Sequence, residues 1–269
     1  MGTRTGLVVG AGSFTLDILD EAKRGGRDLV VAGIRGEADP GLETKAAVFA
    51  WFEPGEIKKL AAFFREREIH EIFMLGKVDP RSIWTKPGFD EIAEELLARA
   101  QERTPSSLLK QLFAFLETQG VAVKDPSSLL QPYLFSEGVL GKVQPSSGVL
   151  EDMNFGWMIA RALADLEVGQ TAIVKDRMVV AVEGMEGTDE TIRRGGRLAG
   201  NGIIVVKVGR SDQDMRIDVP AVGLETLRNL VKAKGTALCI EAGRVPLFQK
   251  DDVITLADAN GIAVVARKS

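Results

Sequence analysis

Short apolar runs alternate with amphipathic stretches through the first 124 residues. Gly6–Val9, Leu29–Ile34 and Glu71–Leu75 predict strands, and Phe14–Arg24 predicts a helix. Glu56–Arg67 carries Ile57, Leu60, Ala61 and Phe64 at the spacing of one helical face, so a second helix is expected there. Phe89–Arg103 predicts a third. Thr104 then suits an N-cap, with Pro105 at the first helical position and Gly120 closing that helix, before a short strand at Val121–Val123. Strands alternating with helices across short connections imply a parallel sheet covered by helices. The expectation is an α/β protein whose residues 1–124 form a Rossmann-like domain.

The pattern changes at Asp125. Pro126, Pro132 and Pro145 lie among Ser127, Ser128, Ser146 and Ser147, which predicts an extended interdomain linker over 125–150. Residues 151–269 then read as a mixed α/β domain. Asn154–Asp165 is expected to be helical. Ala172–Val174 and Met178–Val182 flank Lys175-Asp176-Arg177 as a hairpin, and Thr188 or Asp189 caps a helix toward Arg194. Ile203–Val208 predicts a strand, and Leu224–Lys234 a helix. Ala237–Ile240 and Val245–Phe248 are expected as strands around Glu241-Ala242-Gly243-Arg244. Asp251–Asn260 and Ile262–Val265 end the chain as helix and strand.

Composition narrows the chemistry. The 269 residues are 45% hydrophobic and 27% charged, with a formal charge of −4, so a nonspecific nucleic-acid binder with a basic face is not expected. Cys239 is the single cysteine and His70 the single histidine, which excludes a disulfide framework and a multi-histidine metal site. Carboxylates, lysine, arginine, backbone amides and a hard metal ion remain for catalysis. No apolar run approaches the roughly 18 residues of a membrane span, and Thr5–Gly10 is no signal-peptide core, so a cytoplasmic protein is expected.

Several stretches invite a ligand. Gly10-Ala11-Gly12-Ser13 joins a strand to a helix, where glycines and free amides suit a phosphate, and where a tight turn needs the same glycines. The dinucleotide fingerprint asks for a glycine at Thr15 and an acid after the second strand, which ends at Ile34-Arg35; NAD binding is therefore disfavoured. Gly76-Lys77-Val78-Asp79-Pro80 follows the third strand, and Lys77 there is either a phosphate contact or a solvated lysine. Glu183-Gly184-Met185-Glu186-Gly187-Thr188-Asp189 alternates glycines with acids between a strand and a helix. Oxygen ligands so placed suit a hard cation, or the acids complement the helix dipole. Asp212–Pro220 reads as a polar strand with Asp214, Arg216 and Asp218 on one face. Glu241 stands at a strand end, where a buried carboxylate can meet a ligand.

Together these stretches resemble the alternative UDP-2,3-diacylglucosamine pyrophosphatase family of lipid A synthesis over almost the full length. Glu183–Asp189 is similar to that family's E-x-x-E-G-T-D signature. Gln213–Gly223 is similar to its Q-[DE]-x-R-x-D-x-P-x-[IV]-G signature. Glu137–Gly141, Asp165–Gln170, Glu241–Arg244, Gly10–Gly12 and Ala38–Pro40 also match. The resemblance implies cleavage of UDP-2,3-diacylglucosamine to UMP and 2,3-diacylglucosamine 1-phosphate (lipid X), with Mg2+ and two domains clamping the substrate. It places the catalytic aspartate at Asp218. It implies substrate contacts from Gly10, Ala11, Gly12, Ser13, Gly76, Lys77, Thr188, Lys207, Gln213 and Arg216, and a cation held by Glu186 and Asp189. Leu129, Leu130, Tyr133, Leu134, Phe135, Val139, Leu140, Phe155, Trp157 and Met158 would shelter the acyl chains or form ordinary core. Peripheral contact with the inner-membrane surface and a homodimer are further implications. The rival reading is a noncatalytic nucleotide- or lipid-binding module.

Overall fold

Leu7, Val8 and Val9 are apolar on both faces of their strand, which suits the middle of a parallel sheet covered on both sides. The computed structural model describes residues 4–12, 14–78, 89–99 and 104–268. Strand β1 (Thr5–Val9) lies between β2 (Leu29–Ile34) and β4 (Glu71–Leu75). Strands β3 (Val48–Phe52) and β5 (Ala122–Val123) flank them, giving a five-stranded parallel sheet ordered β3-β2-β1-β4-β5. The order reverses between β1 and β4, the topological switch point where open α/β sheets take ligands at their carboxyl ends. Helices α1 (Phe14–Arg24), α2 (Gly41–Lys45), α3 (Ile57–Arg65), α4 (Glu91–Arg99) and α5 (Pro105–Thr118) complete the described part of this unit. Phe64 of α3 is fully buried. A Cβ on Gly6 would come within 2.5 Å of its ring, so the bare glycine lets helix and sheet close. Thr104 caps α5 by accepting from Ser107 N, and Gly120 leaves it at φ +79°, as expected from sequence.

The chain up to Leu129, together with Asp214–Val219, forms this first compact unit; Leu130–Gln213 and the chain from Pro220 form the second. The stretch expected as a linker holds the short helix α6 (Ser127–Leu130), a 3-10 turn at Gln131–Tyr133 and strand β6 (Gly138–Val139). The second sheet adds β7 (Thr171–Lys175), β8 (Met178–Val182), β9 (Ile204–Lys207), β10 (Ala237–Glu241) and β11 (Ala263–Arg267), ordered β6-β11-β10-β9-β7-β8. β9, β10 and β11 are parallel; β7 runs antiparallel to both β9 and β8.

Period-two alternation splits the sheet's apolar residues between two layers. Ile204, Val206 and Cys239 pack with Met153, Trp157 and Ala160 of α7 (Ser147–Asp165). Val205, Leu238 and Ile240 pack on the other face with Ile192 of α8 (Thr188–Ala199), Leu227 of α9 (Leu224–Lys232) and Val253 of α10 (Lys250–Ala259). α7 begins seven residues before the expected Asn154, because Ser146 caps it by accepting from Val149 N. Val245–Phe248 is no hairpin strand. β10 already has β9 and β11 on its two edges, and the segment instead bonds Tyr133 and Val222 through Leu247 N and Phe248 N. Among the described residues no helix is long and apolar enough to cross a membrane.

The hairpin of β7 and β8 turns at Asp176 and Arg177, both at positive φ. Asp152 of α7, 8% exposed, accepts from both of their amides at 2.9 and 2.6 Å. Asp152→Ala strips both amides of their acceptor and is expected to destabilise the second unit by about 2 kcal/mol, read by denaturant melting. An unchanged midpoint would show that water replaces the carboxylate without cost.

Candidate functional site

At the switch point of the first sheet the two glycine loops bind each other. Gly10 N donates to Leu75 O at 2.9 Å; Ala11 N donates to Lys77 O at 2.6 Å, and Lys77 N to Ala11 O at 2.8 Å. A Cβ on Gly10 would lie 2.4 Å from Lys77 O, and Gly76, at φ +84°, has Ala11 O at 2.7 Å from its own Cβ position. The glycines therefore allow backbone-to-backbone approach, and the Gly10, Ala11 and Lys77 amides are already bonded within the fold. Thr15 stands where a dinucleotide-binding turn has its third glycine; it is fully buried and its hydroxyl donates to Gly12 O at 2.9 Å. The Lys77 side chain is exposed. Ser13, Asp79, Pro80 and Arg81 lie outside the described residues.

In the second unit the carboxyl end of β9 meets the first turn of α8. Lys207, only 3% exposed, donates to Thr188 Oγ1, and that hydroxyl donates to Glu183 Oε1 at 2.9 Å. Glu183, 6% exposed, accepts Gln170 N on its other oxygen at 3.2 Å. Thr171, fully buried, pairs in register with Lys207 and brings its hydroxyl to 3.5 Å from that of Thr188. A buried lysine and a buried carboxylate thus share one hydroxyl, which keeps both charges solvated by protein at the N-terminus of a helix, a place that favours anions.

Glu186 and Asp189 flank this chain differently. Glu186 is ion-paired with Arg194, which holds its carboxyl below the ordinary glutamate range. Asp189 Oδ1 is buried without a hydrogen-bond partner, the kind of oxygen a hard cation or a water on it would satisfy. Among the described residues no three of His, Cys, Asp and Glu converge as a metal cage. Of the two carboxylates expected to hold a cation, Asp189 has an open acceptor oxygen and Glu186 is committed to Arg194.

Gln213–Val219 is not the strand its alternation suggests. Asp214 folds the segment onto itself: its carboxylate accepts from Arg216 N at 3.1 Å, Nε at 2.9 Å and Nη2 at 2.7 Å. Ile217 N then donates to Asp214 O at 3.0 Å. The guanidinium keeps the Asp214 carboxyl low, and the carboxylate raises Arg216 in return. Arg216 also lies 5.4 Å over the Phe113 ring, and Ile217 packs on the first unit's core. Asp218, half-buried, follows this ion-paired turn. Among the expected site residues, Thr188 and Lys207 touch directly, and Asp214, Arg216 and Asp218 share one strap counted with the first unit. Gln213 has its amide oxygen engaged by Gln170 Nε2 at 2.8 Å and Arg210 N at 3.0 Å. Of the apolar residues expected near acyl chains, Leu129, Leu130 and Trp157 are core, whereas Met158 is 63% exposed.

Two family models divide the chain: the LpxI N-terminal domain matches residues 4–133 and the LpxI C-terminal domain residues 136–265. The chain belongs to the LpxI family. It is 25% identical to the UDP-2,3-diacylglucosamine pyrophosphatase LpxI of Caulobacter vibrioides over 278 residues, covering 97% of this chain and 96% of that one. Two solved structures show a weaker likeness. The L-threonine dehydrogenase of Phytophthora infestans is 12% identical with a TM-score of 0.30 over 54% of this chain and 38% of that one. The UDP-glucose 4-epimerase of Thermotoga maritima is 15% identical with a TM-score of 0.27 over 53% of this chain and 42% of that one.

Within this family member the sequence reading gave no role to the side chains that fasten the loop before Asp214. Arg161, Asp165, Glu167 and Gln170 all end on it, and Glu241, singled out only as a strand-end carboxylate, is 2% exposed and bonded to Gly209 N at 2.9 Å. The available signal was the Asp165–Gln170 match, a polar stretch with no chemistry attached.

Proposed function

We propose that the chain hydrolyses the diphosphate of UDP-2,3-diacylglucosamine, giving UMP and 2,3-diacylglucosamine 1-phosphate. The observation that carries this is the alignment of 97% of the chain with a relative of that name. The charged groups support it. Cleaving a phosphoanhydride needs charge neutralisation and a placed water more than a covalent nucleophile. Asp218 orients the water and accepts its proton. The water oxygen bonds to the sugar-side phosphorus, the bridging P–O bond breaks, and UMP departs with the bridging oxygen. Arg216 and Lys207 neutralise phosphate oxygens, and Thr188, held by Lys207 and Glu183, presents its helix terminus to phosphate. Gly10, Ala11, Gly12, Gly76 and Lys77 face the nucleotide. Gly10 and Ala11 contribute close approach rather than amides, because their N–H groups are bonded already.

Magnesium, with Asp189 as its protein ligand, supplies charge neutralisation on the diphosphate when bound. Purified protein is expected to release UMP from the diacylated substrate, to lose that activity in excess EDTA and to regain it with added Mg2+. Asp189→Asn is expected to raise the Mg2+ concentration for half-activity by about tenfold, the low end of what one lost ligand-shell contact costs. Substrate binding without UMP release would support the noncatalytic module instead. Activity indifferent to EDTA would remove the metal. Contact with a membrane surface belongs to the same proposal, since the substrate carries two acyl chains, and a homodimer follows from the family resemblance alone; vesicle flotation and analytical ultracentrifugation test them.

A further inference from the structure

Each polar side chain of Asp165, Glu167 and Gln170 ends on the loop Gly209–Gln213. Asp165 accepts from Ser211 N at 2.8 Å and from Ser211 Oγ at 3.0 Å. Glu167 pairs with Arg210. Gln170 Nε2 donates to Gln213 Oε1 at 2.8 Å, and that oxygen also accepts from Arg210 N at 3.0 Å. One helical turn before Asp165, Arg161 donates to Gly209 O and to Glu241 Oε1, the latter at 2.6 Å, while Glu241 Oε2 accepts from Gly209 N at 2.9 Å. Both backbone groups of Gly209 are thus held by one buried ion pair, whose exposures are 19% and 2%. Gly209, Arg210, Ser211 and Gln213 are all fastened to the end of α7 and the turn after it. The next residue, Asp214, begins the strap that the Asp214–Arg216 chelate curls ahead of Asp218.

We propose that Asp165 and Gln170 are positioning residues for hydrolysis: with Arg161 and Glu241 they clasp the loop Gly209–Gln213 and so fix where the strap carrying Asp218 starts. The inference rests on Asp218 being the catalytic carboxylate. Only four residues separate Gln213 from Asp218, and the Asp214 chelate makes three of them one rigid turn. The clasped loop and the carboxylate are thus joined by a stretch of chain too short to leave much slack between them. Asp165 and Ser211 are both exposed, so deleting their contact strands no buried polar group and is nearly free in stability. A misplacement of about 1 Å at a catalytic group, by contrast, costs up to about a hundredfold in rate.

The test compares Asp165→Ala, Asp165→Asn, Ser211→Ala, the Asp165→Ala/Ser211→Ala pair and Gln170→Ala with wild type in the UMP-release assay, alongside thermal melting. Asp165→Ala and Gln170→Ala are each expected to lower kcat by about tenfold or more, with KM within about threefold and little change in melting midpoint. Asp165→Asn should fall between, since its amide oxygen still accepts from Ser211 N. The pair should be no slower than Asp165→Ala alone, because both act through one contact. A kcat within twofold of wild type, a loss confined to KM, losses that multiply in the pair, or a loss matched by unfolding at the assay temperature would each overturn the clasp. Asp218→Ala run in parallel separates the two ideas. An inactive Asp218→Ala beside a normal Asp165→Ala removes the clasp alone, whereas an active Asp218→Ala removes the catalytic reading beneath it.

Discussion

Asp218→Ala is expected to lower kcat for UMP release by at least about a hundredfold, because a group that orients and deprotonates the attacking water contributes about 10²- to 10⁴-fold. The strap should survive the change. Its shape comes from Asp214, whose carboxylate holds three donors of Arg216, and from Ile217 seated on the first unit's core. KM is expected to change little, and thermal melting of the variant separates a loss of chemistry from a loss of fold. Asp218→Asn sharpens the result: the amide keeps the size and one acceptor but cannot take a proton, so it should be nearly as slow as alanine. Hydrolysis within about tenfold of wild type in either variant would leave the role to another residue.

The strap also shows where the sequence misleads. Asp212–Pro220 alternates like a half-buried strand, yet Asp214 is an aspartate two residues before an arginine. Its short carboxylate reaches the backbone amide two residues on, an alternative to a ladder partner that aspartate and asparagine favour at turns. The period was present and turn chemistry won. Where no such competitor exists the pattern is faithful: Phe14–Arg24 keeps one helical period, and Leu29–Ile34 and Glu71–Leu75 are short apolar runs with sharp ends. Strand β3 (Val48–Phe52) has no alternation to announce it, since it is an apolar run at a sheet edge, covered in part by its own aromatic pair of Phe49 and Trp51 at 4.8 Å.

The site divides along similar lines. Glycines, acids and the lysine near a strand end were visible because their spacing is local. The clasp was not, because Asp165 and Ser211 are 46 residues apart and Arg161 and Glu241 are 80 apart. Such pairs become neighbours only once α7, β9 and β10 are stacked. The Gly10 turn misled in the opposite sense. Its glycines look like a phosphate cradle, and the structure uses them first to let two loops hydrogen-bond each other.

Lys207→Met should do damage of two separable kinds. The methionine fills much of the same volume, but Thr188 loses its donor, and Glu183, 6% exposed, no longer shares that hydroxyl with a lysine. Removing one partner of a buried charged set costs about 3–5 kcal/mol, here toward the lower figure because Thr188 and Gln170 N still donate to Glu183. If Lys207 also neutralises a phosphate in the transition state, kcat/KM should fall by about a hundredfold or more in whatever folded protein remains. Adding Glu183→Gln tells the two apart. The neutral amide still accepts from Thr188 and removes the buried charge that the lysine faced, so the double variant should recover most of the lost melting midpoint while hydrolysis stays low. Recovery of both would mean that the lysine serves only the fold and that the substrate's phosphates are met elsewhere.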